Sequence, residues 1–331
     1  MFVAPNLLSA IPLPLKLFIC QFLWILPYLA FANYLERSLL PFRFICYTDS
    51  DFLNVQQPIR KPLSACIKHV FPNTIADSKC SLNQNIEASI KPKLAKNFEK
   101  IIVIRSAPNA INYREYIRDT WKQTFPSEIP VIFVVGKGKS DNNVESEAKE
   151  HEDILQLDFI DSYFNLTLKM MATYGYFLKH STVEQIMVIN DDTIVNSTAL
   201  MQYSNEMQKG ENYVIGKVSR GYPRLFMPWL LWHVPSTMYN HKCYPPFVQG
   251  SSFIISRKAA SEIFKHICDF PFVHLDDIMM GLISNCVGTS LIHREGFDHH
   301  FLNHFTVFHY QYSRYSASKM RSLWKQINHL L

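Results

Sequence analysis

Short apolar runs alternate with amphipathic segments through the middle of the chain. Unbroken apolar runs rich in branched side chains are typical of buried strands, whereas apolar positions three or four apart indicate helices. The predicted strands cover Lys100–Ser106, Val131–Gly136, Asp153–Phe159, Ile186–Ile189 and Phe253–Ile255. The predicted helices cover Tyr113–Trp121, Glu145–Glu150, Asn165–Lys179 and Ala259–His266. This alternation predicts an α/β fold with a mostly parallel central sheet that is covered by helices on both faces.

A polar cluster follows the central apolar run. Asn190, Asp191 and Asp192 come directly after the predicted strand Ile186–Ile189. Open α/β sheets bind ligands at the carboxyl ends of their strands. Carboxylate oxygens suit Mg²⁺ or Mn²⁺, which also bind nucleotide phosphates, so the cluster predicts a metal and nucleotide site. The alternative is a solvated turn in which the two aspartates only cap the segment that follows.

The N-terminal segment predicts entry into the secretory pathway. Residues 7–32 are almost all apolar, and Lys16 is the one charged residue among them. A membrane anchor fits if the helix extends past Lys16, whereas a cleaved signal peptide fits the small residues Ala30 and Ala32. The predicted organisation is a cytoplasmic tail and signal anchor over residues 1–32, a stem over 33–97 and a lumenal domain over 98–331.

Composition and charge narrow the class of protein. The net charge is only +5 and we find no run of five basic residues, so nucleic acid is not predicted as a partner. No CxxC pair occurs, which removes support for a zinc site. Apart from Cys20 in the apolar segment, six cysteines remain, and an even set predicts disulfides in an oxidising lumen, with the pairing left open. Two N-glycosylation triplets, which begin at Asn165 and Asn196, agree with this compartment.

Two later regions carry further candidate chemistry. The segment from Arg220 to Phe247 is rich in aromatic residues, whose rings either line a carbohydrate site or pack in the core. At Gly250 the missing side chain would let the backbone approach a ligand closely. A second acidic pair, Asp276 and Asp277, comes next, and several histidines follow in the tail, where a packed or solvated histidine is the commoner case.

Taken in order, these motifs resemble the β-1,3-galactosyltransferase / β-1,3-N-acetylglucosaminyltransferase family of Golgi hexosyltransferases. The resemblance covers roughly Lys100 to Trp324. It is carried by Arg114 with Ile117–Trp121, Asp153–Leu155, Asp158–Phe159, Asp161–Tyr163, Asn165–Lys169, Asn190–Asp192, Tyr244–Phe247, Gly250, Ser256, Asp276–Ile278, Gly281 and His309.

The resemblance implies a type II, single-pass Golgi membrane protein with a lumenal GT-A (Rossmann-like) catalytic domain. It implies transfer of galactose or N-acetylhexosamine from a UDP-sugar to a glycan acceptor on a glycoprotein or glycolipid, with inversion and with Mn²⁺ or another divalent cation. The base would be Asp277, and the metal ligands would be Asp192, His309 and Asp191. The donor-side residues would be Arg114, Arg118, Lys169 and Asn190. The sugar or acceptor side would comprise Gly250, Tyr244, Trp232 and Asp276. Arg114 or Arg118 could equally be a charged residue on the surface of a helix.

Several positions depart from the family pattern. Asn190 stands where the first aspartate of the metal motif is usual, which keeps a carbonyl ligand but removes a charge. Asp276 replaces a glutamate, and Ser252 replaces a glycine. The family cysteine is absent at Leu282 and Ile283, although Cys286 lies nearby. These departures favour an alternative in which the chain is a degenerate relative that binds glycans or assists another transferase. A third possibility is a secreted binding protein released by signal cleavage.

Overall fold

The computed structural model describes residues 62–73, 80–84, 86–94, 98–222, 224, 231–311 and 313–328, together with positions 12, 14, 15, 21, 23 and 46. The chain divides into two compact units, Met1–Ile45 and Cys46–Leu331. Nearly all of the predicted anchor over residues 1–32, and much of the predicted stem, lies outside the described residues. Within the described part of the chain, none of the helices has the length and apolar character needed to span a bilayer.

The second unit is built from strands and helices that alternate along most of its length. The strands are β1 (Ala88–Ile90), β2 (Lys100–Arg105), β3 (Val131–Lys137), β4 (Ile154–Ile160), β5 (Gln185–Asn190), β6 (Thr193–Val195), β7 (Tyr213–Ser219), β8 (Phe247–Ser256), β9 (Ser290–His293) and β10 (Val307–His309). The helices are α1 (Leu63–Val70), α2 (Ile111–Arg118), α3 (Asp141–His151), α4 (Leu166–His180), α5 (Ser197–Asn205), α6 (Arg257–His266), α7 (Asp276–Val287) and α8 (Ala317–Ile327). Each strand and helix predicted from the sequence has a counterpart, although β8 begins at Phe247, well before the predicted strand Phe253–Ile255.

The central sheet is mixed and has the strand order β1-β4-β3-β2-β5-β8-β7-β9. Strands β4, β3, β2 and β5 run parallel to their neighbours, as do β7 and β9. Antiparallel pairing joins β1 to β4 and places β8 between β5 and β7. The parallel block confirms the predicted sheet, and it brings the carboxyl ends of β2 and β5 side by side.

Two apolar layers cover the sheet, one on each face. Ile101 and Val103 of β2 pack in one layer with α1, α4, α6 and α7. Ile102 and Ile104 point the other way and pack with α2, α3, α5 and α8. Successive side chains of a strand alternate between faces, so an unbroken apolar run such as β2 is what a sheet buried on both sides requires.

Residues predicted to form the stem contribute to the folded domain where the structure describes them. Helix α1 packs into the core through Val70, and β1 forms one edge of the sheet. Three disulfides join this region to the rest of the unit, namely Cys46–Cys243, Cys66–Cys286 and Cys80–Cys268. They confirm that the six downstream cysteines pair, and they supply the connectivity that the sequence left open.

A second, two-stranded sheet lies beside the end of β5. Strand β6 pairs with β10 in antiparallel register, so that His309 lies opposite Thr193 and Val307 lies opposite Val195. All three residues of β6 are buried, which holds this ribbon against the core. The pairing brings the tail of the chain to the acidic cluster that follows β5.

Candidate active site

Arg105 and Asn190 end the adjacent parallel strands β2 and β5 in register with each other. The side-chain oxygen of Asn190 accepts hydrogen bonds from Nε of Arg105 at 3.1 Å and from Nη2 at 2.6 Å. The same guanidinium donates to a carboxylate oxygen of Asp276 and to the backbone oxygen of Gly250. One buried cation therefore joins the end of β5, strand β8 and the start of α7.

Asp277 stands next to that cluster in the first turn of α7. One of its carboxylate oxygens accepts the backbone N–H of Ile278 at 2.8 Å, and the other accepts that of Gly250 at 3.3 Å. Burial, followed by the charge of Asp276, raises the pKa of Asp277 to about 7. A half-buried carboxylate with this pKa can take up a proton near neutral pH, as a general base must.

Asp191 points into the protein and is 5% exposed. One oxygen accepts the hydroxyl of Ser106 at 2.8 Å, and the other accepts Nη2 of Arg314 at 2.5 Å. Burial raises the pKa of Asp191 to about 6, with Asp192 adding to the shift and Arg314 opposing it. Both oxygens of this predicted metal ligand thus already have protein partners.

Asp192 and His309 face each other across the β6–β10 ribbon. An oxygen of Asp192 lies 3.6 Å from Nε2 of His309, and Nδ1 of His309 lies 2.8 Å from an oxygen of Asp298. A histidine that ligates a metal commonly gives its other ring N–H to a carboxylate, which fixes the tautomer. The residue types and this arrangement fit a divalent cation bound between Asp192 and His309.

The electrostatics of Asp298 support that orientation. Burial alone would raise the pKa of Asp298, but hydrogen bonds from His309 and Ser251 and the charge of Lys217 lower it to about 2. Asp298 is fully buried and stays ionised as an acceptor for the imidazole ring. Burial opposes protonation of His309, yet the hydrogen bond and charge of Asp298 outweigh it and raise the pKa of the histidine.

In the described part of the chain, no three His, Cys, Asp or Glu side chains form a complete metal-binding group. Mg²⁺ and Mn²⁺ at nucleotide sites usually take only one or two protein ligands and fill the rest of their shell with phosphate oxygens and water. The pair of Asp192 and His309 matches that pattern, and metal dependence stays a prediction.

Two of the predicted donor-side cations are buried, and their N–H groups donate hydrogen bonds to other residues of the protein. All five N–H groups of Arg114 meet protein acceptors, with Glu147 held by two of them at 2.8 and 2.6 Å and the loop after β2 by the others. Nζ of Lys169 donates to the backbone oxygen of Ser106 at 2.7 Å and to Asp161 at 2.8 Å. Both residues brace the carboxyl-end loops, which differs from the direct nucleotide contact expected from the sequence.

Arg118 lies away from the cluster. Its guanidinium pairs with Asp153, at 3.0 and 2.7 Å, and with Glu147 at 2.7 Å. Asp153 immediately precedes β4, so it marks the amino end of a strand that runs parallel to β5. Arg118 therefore lies near the amino ends of the parallel strands, whereas Asn190 lies at a carboxyl end. Its ion pairs stabilise the packing of α2 and α3 rather than the site.

Two of the predicted sugar-side residues, Gly250 and Asp276, lie beside Asp277. Gly250 approaches the carboxylate itself, since a Cβ added there would lie 3.3 Å from Cβ of Asp277. Tyr244 is buried, and among the described residues its hydroxyl has no hydrogen-bond partner. Trp232 is 41% exposed, and the pKa of Tyr163 is raised by burial and then by the charge of Asp277. Trp232 is thus an exposed aromatic side chain among the predicted sugar-side residues, whereas Tyr244 belongs to the core.

The two predicted glycosylation asparagines are both half-exposed. Asn165 donates from its amide to the backbone oxygen of Ile160 at 2.8 Å. Asn196 caps the start of α5 by accepting the N–H of Ala199 at 3.0 Å. Their modification stays a prediction.

Comparison with known proteins decides the family. The family model described as galactosyltransferase matches residues 112–295, which is more than half of the chain. This chain belongs to the galactosyltransferase family. The match confirms the family resemblance found in the sequence, and it includes the end of β5, strand β8 and the acidic start of α7.

Two relatives of this galactosyltransferase-family chain are named as N-acetylglucosaminyltransferases. A rat UDP-GlcNAc:βGal β-1,3-N-acetylglucosaminyltransferase 7 is 30% identical over 62% of this chain and 55% of the relative. A Xenopus laevis lactosylceramide 1,3-N-acetyl-β-D-glucosaminyltransferase A is 26% identical over 57% of this chain and 54% of the relative. The chain thus spans about half the length of the curated relatives it matches.

Solved structures give only distant matches. The glycosyltransferase GlyE of Streptococcus pneumoniae TIGR4 aligns over 70% of this chain and 60% of its own, with 15% identity and a TM-score of 0.39. The galactosyltransferase LgtC in complex with donor and acceptor sugar analogs aligns over 68% of this chain and 95% of its own, with 10% identity and a TM-score of 0.41.

Three residues of the site were missed from the sequence of this galactosyltransferase-family chain. Arg105 carried a signal, because it is a charged residue directly after the apolar run Ile101–Ile104. Asp298 and Arg314 carried none, since the segments around them show neither a period nor a motif. All three act through contacts with residues that are distant along the chain, and these contacts appear only once the sheet is assembled.

Proposed function

We propose that the chain is an inverting β-1,3-hexosyltransferase that moves a hexose from a UDP-sugar to a hydroxyl group of a glycan acceptor. The observation that carries the proposal is the shared guanidinium of Arg105, which binds both Asn190 and Asp276. This guanidinium brings the acidic cluster after β5 and the candidate base Asp277 together at the carboxyl end of the parallel strands. Family membership supports the reaction class, and the geometry supports the assignment of roles.

The chemistry is a single displacement at the anomeric carbon. The acceptor oxygen forms a bond to that carbon from one face while the bond to the diphosphate oxygen breaks on the other, and the acceptor proton passes to Asp277. A divalent cation held by Asp192 and His309 would supply the charge stabilisation that the leaving diphosphate needs. The contacts of Arg105 with Asn190 and Asp276 hold the acidic cluster after β5 and the candidate base on α7 at a fixed separation.

The roles of the two carboxylates of α7 follow from the groups that each of them contacts. Asp276 is buried in an ion pair with Arg105. Asp277 accepts two backbone N–H groups instead, and its pKa of about 7 lets it change protonation state during a reaction at neutral pH. Asp277 is therefore the base, and Asp276 is the residue that ties it to the end of β5.

The identity of the donor is proposed from the relatives. Those compared above are named for transfer of N-acetylglucosamine, one of them to a β-galactoside and another to lactosylceramide. UDP-N-acetylglucosamine is the first donor to test, and UDP-galactose and UDP-N-acetylgalactosamine follow. The matching acceptors carry a terminal galactose on a glycoprotein or glycolipid.

We place the catalytic domain in the lumen of the Golgi, anchored through residues 1–32. Three disulfides support an oxidising compartment, because such bonds rarely persist in the cytosol. Protease protection of the tagged chain in intact Golgi vesicles tests this placement. Digestion of the C-terminal domain without detergent would refute it.

The test of activity uses the purified full-length protein with each UDP-sugar, a β-galactoside acceptor, and Mn²⁺, Mg²⁺ or a chelator. We expect transfer that requires a divalent cation, a product with a β-1,3 linkage, and loss of nearly all turnover in Asp277→Asn. Asp269→Asn, which alters an exposed carboxylate paired with His266, serves as the matched control. Equal turnover by the wild type and Asp277→Asn would refute the role of Asp277.

One observation favours a non-catalytic relative as the second candidate. The oxygen of Asn190 is already taken by two hydrogen bonds from Arg105, so this departure from the family motif removes both a charge and a free ligand. Such a protein would bind glycans or assist another transferase. Calorimetry with UDP and Mn²⁺ separates the two candidates, since an absence of metal-dependent nucleotide binding favours the second.

A further inference from the structure

Arg314 contacts both carboxylates of the candidate metal motif from the segment that precedes α8. Its Nη2 lies 2.5 Å from one oxygen of Asp191, and its Nε lies 3.8 Å from one oxygen of Asp192. No pattern in the sequence pointed to this residue. Its guanidinium therefore places a positive charge beside both aspartates.

The fold holds Arg314 in this position through aromatic residues on two elements. The guanidinium lies 4.2 Å from the centre of the Tyr113 ring on α2, which is a cation–π distance. The hydroxyl of Tyr113 donates to the backbone oxygen of Tyr315 at 2.7 Å. The ring of Tyr315 stacks on Tyr310, with 4.5 Å between the ring centres. The contact of Arg314 with the motif is thus built into the structure and differs from a chance surface pairing.

Arg314 also differs from the buried arginines of the same region. Arg105 is only 7% exposed, and Arg114 is fully buried with every N–H group paired. The side chain of Arg314 is 47% exposed. It can therefore change partner at little cost in burial.

A divalent cation and the guanidinium would compete for the same carboxylate. Two positive centres that share Asp192 repel each other, and the repulsion is strong where water is partly excluded. An anionic diphosphate relieves it, because its oxygens can accept hydrogen bonds from a guanidinium while the metal neutralises the remaining charge. Arginine is well suited to this exchange, since its planar fork binds carboxylates and phosphates with the same geometry.

We propose that Arg314 is a phosphate-binding residue of the donor site, which releases Asp191 and Asp192 when a metal and a nucleoside diphosphate bind and transfers its guanidinium to the phosphate oxygens. The inference rests on the proposed function and adds a residue to it. Arg314 opposes binding of the metal alone and favours binding of metal and diphosphate together, so it couples the two ligands.

The experiment is calorimetry on the full-length protein with two probes, Mn²⁺ alone and UDP at saturating Mn²⁺. In Arg314→Gln the affinity for UDP should fall roughly 10- to 100-fold, the range for one or two charge-assisted hydrogen bonds. The affinity for Mn²⁺ alone should stay the same or rise. Arg314→Lys keeps the charge but loses the fork, and it should fall between the wild type and Arg314→Gln. Thermal unfolding of each variant establishes that it is folded.

The matched control is Arg321→Gln, which removes an arginine of α8 that pairs with Asp119 at the surface. It should bind both probes as the wild type does. Unchanged UDP affinity in Arg314→Gln would overturn the inference while leaving the proposed function intact. A parallel loss of Mn²⁺ and UDP affinity would also overturn it, because a residue that merely props the carboxylates would give that result. A wild-type protein that binds no UDP with Mn²⁺ would overturn the proposed function and the inference together.

Discussion

His309 and Asp298 form a pair in which Nδ1 of the half-buried imidazole lies 2.8 Å from an oxygen of the buried carboxylate. The contact turns Nε2 of the same ring towards Asp192, at 3.6 Å. Asp298 itself accepts further hydrogen bonds from Ser251 at 2.7 Å and from Gln311. The histidine is thus held by a carboxylate that contacts both β8 and the tail of the chain. The other ring nitrogen of the histidine, Nε2, points at the acidic cluster.

The first prediction concerns this pair. Asp298→Asn keeps an oxygen that can accept a hydrogen bond but removes the charge that favours the required ring orientation. Replacing such a supporting carboxylate typically lowers metal affinity about 10- to 100-fold. We expect a loss of that size in the affinity for Mn²⁺ measured by calorimetry in the presence of UDP. Asp269→Asn removes an exposed carboxylate that also pairs with a histidine, His266, and it should leave Mn²⁺ affinity unchanged. Equal affinities in both variants would contradict a role for Asp298 in metal binding.

The second prediction is a pH dependence set by Asp277. Burial raises the pKa of this carboxyl to about 7, so the ionised base accumulates only as the pH rises through that value. We expect the rate of sugar transfer to increase between about pH 6 and pH 8, and Asp277→Asn to lose roughly 10²- to 10⁴-fold in turnover. A rate that stays flat across this interval would show that a different group accepts the proton.

The stability of the folded protein should depend on pH in the direction opposite to that of the transfer rate. Because the folded-state pKa of Asp277 lies above its unfolded-state value, the folded protein binds this proton more tightly than the unfolded chain does. The stabilisation linked to the proton is therefore present at low pH and is lost as the pH rises towards 7. At pH 8 we expect Asp277→Asn to be at least as resistant to thermal unfolding as the wild type, although it is inactive.

The parallel core of the fold was predictable because its signals are local. Unbroken apolar runs identified β2, β3 and β5, since strands buried on both faces carry mostly apolar side chains. The end of β5 was predictable for the same reason, because the polar cluster Asn190–Asp192 interrupts the apolar run. Short or edge strands such as β1, β9 and β10 carry no comparable pattern, and they form because the rest of the sheet offers them partners.

The remaining parts of the site depend on contacts between distant residues. His309 reaches Asp192 only because β10 pairs with β6, and the sequence did not show that pairing. Arg114 looked like a donor-binding cation, but its burial and its five hydrogen bonds assign it to the loop after β2. The sequence identified the residue types that the chemistry needs, whereas the three-dimensional structure separates those at the surface of the site from those that support it.

The third prediction compares two glycines near α7. In Gly250→Ala the new Cβ would lie 3.3 Å from Cβ and 3.4 Å from an oxygen of Asp277, so the carboxylate must shift by a few tenths of an ångström. Since a misplacement of about 1 Å can cost about 10²-fold, we expect turnover to fall roughly tenfold with little change in thermal stability. In Gly281→Ala the new Cβ would lie 2.4 Å from Cβ of Phe247 inside the core. That variant should instead be destabilised by roughly 1–3 kcal/mol. Similar stability losses in both variants would contradict a specific effect on the base.

The last prediction concerns the ion pair between Arg105 and Asp276, whose side chains are 7% and 6% exposed. Arg105→Ala would leave Asp276 buried without its cation and would free the oxygens of Asn190 and Gly250. Breaking a buried pair on one side costs roughly 3–5 kcal/mol, so we expect a loss of this size in the free energy of unfolding measured with urea. Arg321→Ala breaks a pair with Asp119 that is 33% and 60% exposed, and it should cost only about 0–1 kcal/mol. In Arg105→Lys the charge remains, so stability should recover in part, while the two hydrogen bonds to Asn190 cannot both be replaced. Equal losses in Arg105→Ala and Arg321→Ala would mean that Arg105 is not the residue that joins α7 to the end of β5.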